Sequence, residues 1–407
     1  MKSGIRNQTL AFGGLEFFFW AGNCCVIGFL SSYLKQIGYA DPTIGIVMAI
    51  VAVVLIASQP LFGYIADTYI PPKILISVSI FLGIGAAFLI PLSRKGFVYA
   101  MLTVLLLTVC ESSVTGVISS WSSKLIALGE PINYGLSRGM GSMGFAFTAL
   151  LVGNMMQRFG PDIIFILHAV FYAIDVLIIV FLVKNVPCTN TKGVKSSRNE
   201  SSLGFSGSMM VLLKNKKYVV LMFTLFLTSC AISVVGTYYP VILLASGGTN
   251  TDIGLALFVT AFSEGCVMVF YSRFAQRFKN SRILLFSLVF FAIRFLLFWL
   301  ASGNTRALIA CQATQSFSYG LYLPSTVAHT ADISPLSLRS TALSVGMAVN
   351  FGISCVVGNL MGSVLSQSLG LTSIFPVAFS MTLVGILIFS FTFFINDHTP
   401  EKQAALE

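Results

Sequence analysis

Long apolar runs, separated by short polar segments, are the feature that most restricts what this chain can fold into. The residues are 56% hydrophobic and only 9% charged, whereas water-soluble domains carry about 25% charged residues. A helical run of about 20 apolar residues matches the thickness of a bilayer. The chain is therefore predicted to be an all-α membrane protein with twelve transmembrane helices, at about 10–33, 42–65, 74–92, 97–122, 136–157, 162–184, 218–243, 252–273, 283–302, 305–328, 340–366 and 371–395.

The net charge of +10 is distributed unevenly over this predicted topology. An even number of spans places both termini on one side. If that side is the cytoplasm, its segments hold 18 of the 24 lysines and arginines, which is the pattern of the positive-inside rule. We therefore predict a multi-pass protein of the plasma (inner) membrane, monomeric and surrounded by lipid, with both termini in the cytoplasm. The basic charge is expected to reflect topology and not nucleic-acid binding.

The cysteines give no sign of a metal site or a disulfide framework. None belongs to a CxxC pair or to a Cys/His cluster. No nucleophile motif or nucleotide-binding loop is present either, so we expect no metal, no cofactor and no enzymatic activity. We interpret the cysteines as small buried apolar residues, because seven of the eight fall inside predicted spans: 24, 25, 110, 230, 266, 311 and 355.

The longest polar interval, 185–217, separates six predicted spans from six others. It is rich in Ser, Gly, Asn and Lys and is interpreted as a cytoplasmic linker. Short matches relate the two halves at offsets of 205 to 209 residues: "PTIGIVMAI" with "TDIGLALFV", "KILIS" with "RILLF", and "VGNMM" with "VGNLM". The predicted domains are an N-terminal bundle at 1–184 and a C-terminal bundle with a short tail at 218–407. This duplicated architecture resembles that of the major facilitator transporters, which bind substrate between two six-helix halves near the midplane.

The segment "GYIADTYIPPK", 63–73, resembles a conserved loop of that superfamily. It keeps Gly63, Asp67 and Lys73 but has Thr68 where a basic residue is usual, and it has Pro71. A glycine allows neighbouring helices to approach closely, and a carboxylate can bind the positive end of a helix. The resemblance implies that these three residues belong to a gate and that Asp67 latches the two bundles together.

A closer resemblance is to the family of lactose permease and the proton-coupled oligosaccharide symporters. It is carried by "QPLFG" at 59–63, "YGLSRGMGSMGF" at 134–145, "SEGCVMVF" at 263–270 and Arg294. It implies that Arg138 donates hydrogen bonds to sugar hydroxyls and that Phe145, two helical turns further along the same face, stacks on the sugar ring. It also implies that Glu264 contacts the sugar and that Arg294 lies at the proton site.

The chain departs from that family at several positions. The family's fourth-helix carboxylate corresponds to about Ser120, its tenth-helix His and Glu to Tyr319 and Tyr322, and its eleventh-helix lysine to Asn350. The resemblance therefore implies the fold and leaves the transported solute open.

Four carboxylates fall inside predicted spans: Glu16, Glu111, Asp175 and Glu264. A bare charge at mid-bilayer costs about 2.5–3.5 kcal/mol on insertion scales, so such groups are paired, neutralised or exposed to a water-filled cavity. Glu264 is the strongest candidate for proton coupling, and we expect it to pair with Arg294. The alternative is a static structural pair.

The other three carboxylates leave alternatives open. Glu111 either pairs with Arg138 or serves as a second proton site, or else has a hydrogen-bonded structural role. Glu16 is a further proton-coupling candidate, against local pairing near the membrane interface. Asp175 lies in the sixth span, which is usually peripheral, and is interpreted as structural.

Uncharged polar and aromatic residues complete the candidate site, because a sugar needs donors for its hydroxyls and a ring for its C–H face. The alternative for each is packing or a place in the interfacial belt. His168 and His329 lie near span ends, where we expect solvated histidines. The candidates for substrate contact, besides the charged residues, are Asn23, Trp121, Tyr319, Tyr322 and Asn350, with Tyr238 and Tyr239 as further polar groups of the interior.

Two functions follow from these features. The first is proton-coupled symport of a small polar solute, a sugar, oligosaccharide or glycoside, by alternating access. The second is proton-driven export of amphipathic compounds, which the 36 phenylalanines and 14 methionines would suit. The absence of proline from 136–157 favours the first, because the fifth helix of drug antiporters is rich in proline and glycine.

Overall fold

The computed structural model describes residues 2–130, 132–185 and 205–391, and this part of the chain is helical throughout apart from turns. Within it, eleven segments are long and apolar enough to cross a membrane. The tenth predicted span, 305–328, is broken into two helices by a 3-10 segment at Gln312–Ser316, where polar residues interrupt the apolar run. The far C-terminal tail lies outside the described residues.

The described residues of the first half, 2–130 and 132–185, form eight helices. Four of them pair end to end, so that α1 with α2 and α5 with α6 each make one span. Two 3-10 segments, Ile90–Lys95 and Ser112–Val114, join neighbouring helices. The helices are α1 (Lys2–Val26), α2 (Leu30–Gln36), α3 (Asp41–Thr68), α4 (Pro72–Leu89), α5 (Phe97–Cys110), α6 (Thr115–Ala127), α7 (Tyr134–Phe159) and α8 (Ile163–Phe181).

The described residues of the second half, 205–391, form nine helices. The eleventh span is interrupted by a π-helical segment at Ala348–Ile353, and further 3-10 segments lie at Leu336–Leu338 and Leu371–Ser373. The helices are α9 (Phe205–Lys214), α10 (Lys216–Ala245), α11 (Asn250–Arg277), α12 (Asn280–Leu300), α13 (Thr305–Cys311), α14 (Tyr319–Ile333), α15 (Arg339–Met347), α16 (Ser354–Ser368) and α17 (Ile374–Ser390).

The predicted linker at 185–217 is helical at its end. The helix α9 and the first residues of α10 lie inside it, and residues 186–204 lie outside the described part of the chain. Asn215 separates the two helices and caps α10, since its side chain accepts hydrogen bonds from the backbone N–H groups of Lys217 and Tyr218. The domain boundaries at 184 and 218 stay a prediction.

The helix ends lie on two faces of the molecule. We call the face that contains Gln8, Thr68 and Leu182 the basal face, and the face that contains Gln36 and Asn250 the apical face. On the apical face Gln36 Nε2 donates to Asn250 Oδ1 at 2.7 Å, which joins the first half to the second. On the basal face the Gln8 side chain of α1 donates to the carbonyl of Leu182 at 3.3 Å, a contact within the first half.

The two bundles are held together by close contacts in their apical halves. A Cβ atom added to Gly254 of α11 would lie 3.0 Å from Gly153 Cα of α7, so the two backbones touch where both residues lack a side chain. Tyr238 of α10 donates to the backbone carbonyl of Asp41 at 2.9 Å. These contacts close the apical half of the interface between the bundles.

Inside the first bundle, α1 packs against both α7 and α8. Glycines allow this approach: a Cβ at Gly144 of α7 would overlap the backbone of Phe17, and a Cβ at Gly22 of α1 would overlap the ring of Tyr172. The polar residues of α1 are therefore held directly against those of α7 and α8.

Candidate functional site

A cavity of about 240 Å³ lies in the basal half of the first bundle. Because the bundles touch apically and the cavity is basal, the structure has the arrangement of a basal-open state. The lining combines three kinds of side chain: a charged pair, short polar groups and an aromatic and aliphatic surface. Its members are Glu16, Phe19, Trp20, Gln59, Thr115, Gly116, Ile118, Ser119 and Arg138.

Arg138 lies in the second turn of α7, which begins after Asn133 caps the helix by accepting from the Leu136 N–H at 3.0 Å. Its guanidinium lies over the ring of Trp20, with the central carbon 4.5 Å from the ring centre. Such a cation–π contact contributes about 0.5–2 kcal/mol, depending on how far the pair is desolvated. The Trp20 indole N–H donates to Glu16 Oε2 at 2.9 Å. Trp20 therefore holds the arginine and the glutamate on one wall.

Gly141 provides the space in which this group meets. A Cβ atom there would lie 2.6 Å from Trp20 Cδ1, 3.2 Å from Glu16 Oε2 and 3.3 Å from an Arg138 terminal nitrogen. Any larger residue at 141 would displace the indole or the charged pair. The glycine spacing of "YGLSRGMGSMGF" thus serves the cavity wall as well as helix packing.

Of the alternatives left open for Glu111, pairing with Arg138 is not seen among its described contacts, and Glu16 is the carboxylate beside the arginine. Glu111 is fully buried inside the first bundle. Its Oε1 accepts a hydrogen bond from Asn23 Nδ2 at 3.2 Å and a short one from the Tyr172 hydroxyl. The physical reason is the break between α5 and α6, which turns residue 111 away from α7 and towards α1 and α8.

The direct pair expected between Glu264 and Arg294 is also not formed. Gln315 lies between them: its side-chain oxygen accepts from Arg294, and its Nε2 donates to Glu264 Oε2 at 3.1 Å. A second terminal nitrogen of Arg294 donates to Gln312 Oε1 at 2.5 Å. The 3-10 segment of the broken span places both amides against α12, so neutral groups take the place of the expected carboxylate.

Residues of both bundles meet at the centre of the molecule. The charge of Arg138 in the first bundle acts electrostatically on Glu264 and Tyr319 in the second. Gly320 packs on the backbone of Glu264, with its Cβ position 3.3 Å from the Glu264 carbonyl oxygen. Arg138, Glu264 and Tyr319, three of the predicted site residues, thus lie within electrostatic range of one another, one in the first bundle and two in the second.

Two other predicted residues form a separate cluster in the second bundle. The Tyr322 hydroxyl lies 3.0 Å from Asn350 Oδ1 and 3.1 Å from the Ser229 hydroxyl, and Ser229 also bonds Asn350. Both predicted residues are buried, and Asn350 lies in the π-helical segment. This cluster joins α10, α14 and the eleventh span.

Phe145 and Trp121 do not line the cavity. Phe145 is partly buried and packs against the large core shared by the two halves. Trp121 is fully buried, with its ring edge-on to Phe12 at 5.5 Å between centroids. Both positions are packing positions in this state, because α6 and α7 turn these faces towards other helices and not towards the cavity.

The three predicted gating residues make contacts only within the first bundle. Asp67 pairs with Lys124 at 2.7 Å, so it does not latch onto the second bundle here. Lys73 Nζ donates to the carbonyl of Val183 at 3.0 Å. A Cβ at Gly63 would meet nothing within 4 Å, which contradicts the expected close helix approach. With the basal half open, the latch has no partner within reach.

The histidines and the remaining interior groups also differ from expectation. His168 is fully buried and contacts Glu111, so it is not a solvated residue near a span end. His329 is buried against Phe389. Asp175 is fully buried, and among the described residues neither of its oxygens has a hydrogen-bond partner. Tyr239 packs on Phe298.

Sequence reasoning missed Trp20, Gln312 and Gln315. Each had a signal: Trp20 follows Glu16 by four residues and so shares its helix face. The two glutamines are three residues apart in a polar stretch of the predicted span 305–328, at a depth similar to that of Arg294. The cavity residues Gln59, Thr115 and Ser119 had weaker signals, since single polar residues are common in such helices.

Comparison with known proteins gives a family and a fold. The model of the MFS_1 like family matches residues 10–377. The maltose permease of Geobacillus stearothermophilus is 26% identical over 363 residues, which cover 88% of each chain. The quinolone resistance protein NorA of Staphylococcus aureus is 28% identical over 194 residues, which cover 46% of this chain and 47% of NorA.

A search of solved structures finds the nucleoside transporter NupG with a TM-score of 0.81 at 16% sequence identity, covering 96% of this chain and 100% of that one. At this identity the likeness shows the fold alone. The matches confirm the predicted major facilitator fold, and the named relatives are transporters and not enzymes.

Proposed function

Because the chain belongs to the MFS_1 like family and is a multi-pass membrane transporter of the major facilitator type, we propose that it imports a small polar solute of the sugar or glycoside class in symport with protons. Substrate reaches the space between the bundles alternately from the apical and the basal face. The excess of lysine and arginine on the basal side supports a cytoplasmic location for that face and for both termini, in a protein of the plasma membrane. The transporter acts as a monomer.

The observation that carries this proposal is the wall formed by Arg138, Trp20 and Glu16. A sugar presents hydroxyl groups at its edge and C–H groups on its faces. The guanidinium and the carboxylate offer charged donors and acceptors to hydroxyls, and the indole offers a flat apolar surface. Gln59, Thr115 and Ser119 add short polar groups around the same cavity.

The second bundle supplies the other wall. Glu264 and Tyr319 lie within electrostatic reach of Arg138, so a solute held on the first wall would face them across the gap. A solute bound to both walls favours closure, because only the closed state allows both sets of contacts. This coupling of binding to closure is what alternating access requires.

Proton coupling is assigned to Glu264 and its link to Arg294. Gln315 connects the two side chains by one hydrogen bond to each. When Glu264 takes up a proton, the charge that orients Gln315 disappears, and the amide is free to turn towards substrate or towards Arg294 alone. Loading of the proton thereby alters the same wall that receives the solute.

The likeness to a maltose permease over 88% of both chains supports a sugar as the solute. The test is an assay of purified protein in proteoliposomes, with maltose, lactose and methyl glucosides as probes. We expect at least one sugar to cause alkalinisation of the external medium on addition. Absence of a pH change and of binding for every sugar would refute the proposal.

Arg138→Lys is the sharpest variant for the sugar site. Lysine keeps the charge but loses the planar fork of donors and the stacking on Trp20, so we expect the apparent affinity for the transported sugar to fall about 10- to 100-fold, equivalent to about 1.4–2.8 kcal/mol. Arg158→Lys, at the apical end of the same helix, is the matched control. Unchanged affinity in Arg138→Lys would show that the guanidinium does not bind the sugar.

Glu264→Gln tests the coupling. We expect this variant to lose accumulation against a gradient while retaining exchange of labelled sugar across the membrane, since the amide cannot carry the proton but still fits the contact to Gln315. Accumulation at the wild-type level would remove Glu264 from the proton path.

A second candidate function is proton-driven export of amphipathic compounds. It is favoured by the 28% identity to a quinolone resistance protein, although that match spans less than half of either chain. The apolar part of the cavity wall, Phe19, Trp20 and Ile118, would suit such a ligand. This function would be supported if cells that express the protein expel ethidium and if no sugar causes a pH change or binds.

A further inference from the structure

The first bundle contains a group of titratable side chains that neither the cavity wall nor the Glu264 link uses. Glu111 and His168 are both fully buried, and the Glu111 Oε2 and His168 Nε2 atoms face each other at 3.9 Å. Among the described residues neither of these two atoms has a hydrogen-bond partner. The other oxygen of Glu111 is held by Asn23 and by Tyr172.

The backbone determines which nitrogen of His168 carries a hydrogen. Its Nδ1 lies 3.0 Å from the carbonyl oxygen of Gly22. A carbonyl oxygen only accepts hydrogen bonds, so Nδ1 must be the protonated nitrogen. In the neutral ring Nε2 therefore presents a lone pair. An ionised Glu111 Oε2 also presents lone pairs, so without a further proton two acceptors would face each other in a dry interior.

We propose that Glu111 and His168 bind one exchangeable proton between them and form a second proton-binding site, inside the first bundle. The inference rests on the proton coupling proposed above and adds a site to it. With the proton present, the pair is either a carboxylic acid that donates to imidazole or an imidazolium that donates to carboxylate. Either arrangement satisfies the two unpartnered atoms once they approach from 3.9 Å to hydrogen-bond distance.

The surroundings of the pair supply no competing cation. The described contacts of Glu111 include no lysine or arginine. The titratable groups that interact electrostatically with Glu111 are two thiols and a phenol: Cys25 of α1, Cys110 of α5 and Tyr172 of α8. Cys24 lies next to Cys25, and Asp175 and Glu16 lie beyond Tyr172. On the α4 side the neighbour is Gly83, whose Cβ position lies 3.8 Å from Glu111 Cβ. The proton is thus the positive charge that balances Glu111.

Titratable groups lie between this site and the cavity. Tyr172 bonds Glu111 and lies one helical turn from Asp175, with which it interacts electrostatically. Asp175 interacts in turn with Glu16, which lines the cavity. Among the described residues neither oxygen of Asp175 has a hydrogen-bond partner. Transfer of a proton from Glu16 to the pair through Asp175 and Tyr172 would therefore require these side chains to move into hydrogen-bond contact.

The position of Glu111 connects its charge to the solute site. It stands at the junction where α5 ends and the 3-10 segment Ser112–Val114 leads into α6. The first turns of α6 supply Thr115, Gly116, Ile118 and Ser119 to the cavity wall. A change in the charge of Glu111 would alter the hydrogen bonds that hold the break between α5 and α6 in place. The position of the first turns of α6, which line the cavity, would change with it.

The test uses nitrogen NMR of the protein labelled with ¹⁵N-histidine in lipid vesicles, without any solute. The chain has three histidines, and the His168 signal is assigned by its loss in His168→Gln. We expect Nδ1 to stay protonated across the accessible pH range and Nε2 to gain a proton on acidification. In Glu111→Gln the proton affinity of Nε2 should fall about 10- to 1000-fold, the effect of removing an adjacent opposite charge.

Tyr172→Phe gives the opposite prediction. It keeps the ring that stacks on Phe19 but removes a donor to Glu111, so the carboxylate becomes more basic and the proton affinity of the pair should rise about tenfold. General loosening of the bundle would not move the two variants in opposite directions. His329→Gln is the matched control and should leave the His168 titration unchanged.

Three results would overturn the site: a His168 signal that does not change with pH, an Nε2–H tautomer in the neutral ring, or the same proton affinity in wild type and Glu111→Gln. The measurement needs no transported solute, so it stays decisive even if the sugar proposal fails. If sugar transport is found, wild-type accumulation by Glu111→Gln would equally exclude a part for this site in coupling.

Discussion

Substitution of Gly254 by valine should shift the transporter from the basal-open towards the apical-open state. In the structure α7 and α11 touch through backbone: a Cβ at residue 254 would overlap the Ala149 carbonyl oxygen and would lie 3.0 Å from Gly153 Cα. Since these obstacles are main-chain atoms, no rotation of a side chain can relieve them. The strain falls on the apically closed state alone, because the two helices part when the apical half opens.

The size of the shift follows from the cost of overpacking. Extra methyl groups in a close-packed contact typically cost about 1–3 kcal/mol. A difference of that size between two states changes their ratio about 5- to 150-fold. A protein that is mostly basal-open should thus become apical-open in a large fraction of molecules, without loss of fold.

The assay is pulsed electron spin resonance between labels on cysteines placed at Lys95 and Arg306, which are exposed apical residues of the first and second bundle. The native cysteines would be replaced beforehand. We expect a population at longer distance to appear in Gly254→Val. The control is Gly236→Val, on an exposed helix position where a Cβ meets nothing within 4 Å.

The reasoning is refuted if the distance distribution of Gly254→Val matches that of the parent, or if Gly236→Val shifts it equally. The first result would mean that the helices relax locally at residue 254 and that the contact does not report the gate. The second would mean that the change reflects lost helix flexibility and not contact between the bundles.

Three further predictions follow from named contacts. Gly144→Leu should destabilise the protein by about 1–3 kcal/mol through overlap with the α1 backbone, and this should appear as a lower melting temperature in detergent. The control Gly139→Leu should have little effect on the melting temperature, because a Cβ there meets nothing within 4 Å. Gln315→Leu removes the bridge to Glu264 and leaves buried polar groups unpaired, which should lower the free energy of unfolding by about 1–3 kcal/mol. Proton-driven accumulation of solute should be lost in this variant. Accumulation at the wild-type level would show that coupling does not use the bridge. Asp67→Asn breaks only an exposed ion pair, so the free energy of unfolding should change by about 1 kcal/mol or less. If Asp67 has a gating role, the rate of basal closure, followed by stopped-flow fluorescence, should change in this variant.

The amino-acid sequence by itself determined the membrane class and the approximate position of eleven of the twelve predicted spans, and it predicts a division into two halves. Apolar runs of bilayer length and the asymmetry of basic residues depend only on the order of residues along the chain. The arginine of the fifth span and the glutamate of the eighth were also identifiable, since an ionisable residue within an apolar run is conspicuous wherever it lies.

Only the tertiary structure decided which groups are partners. Lipid is as apolar as a helix interface, so hydropathy does not tell which face of a membrane helix is buried. The rotation of each helix, and breaks such as those at Glu111 and Gln312, decide which side chains meet. They placed Glu16 beside Arg138, put Gln315 between Arg294 and Glu264, and turned Glu111 towards His168. The reason is that a small rotation of a helix about its axis moves a side chain from one neighbour to another.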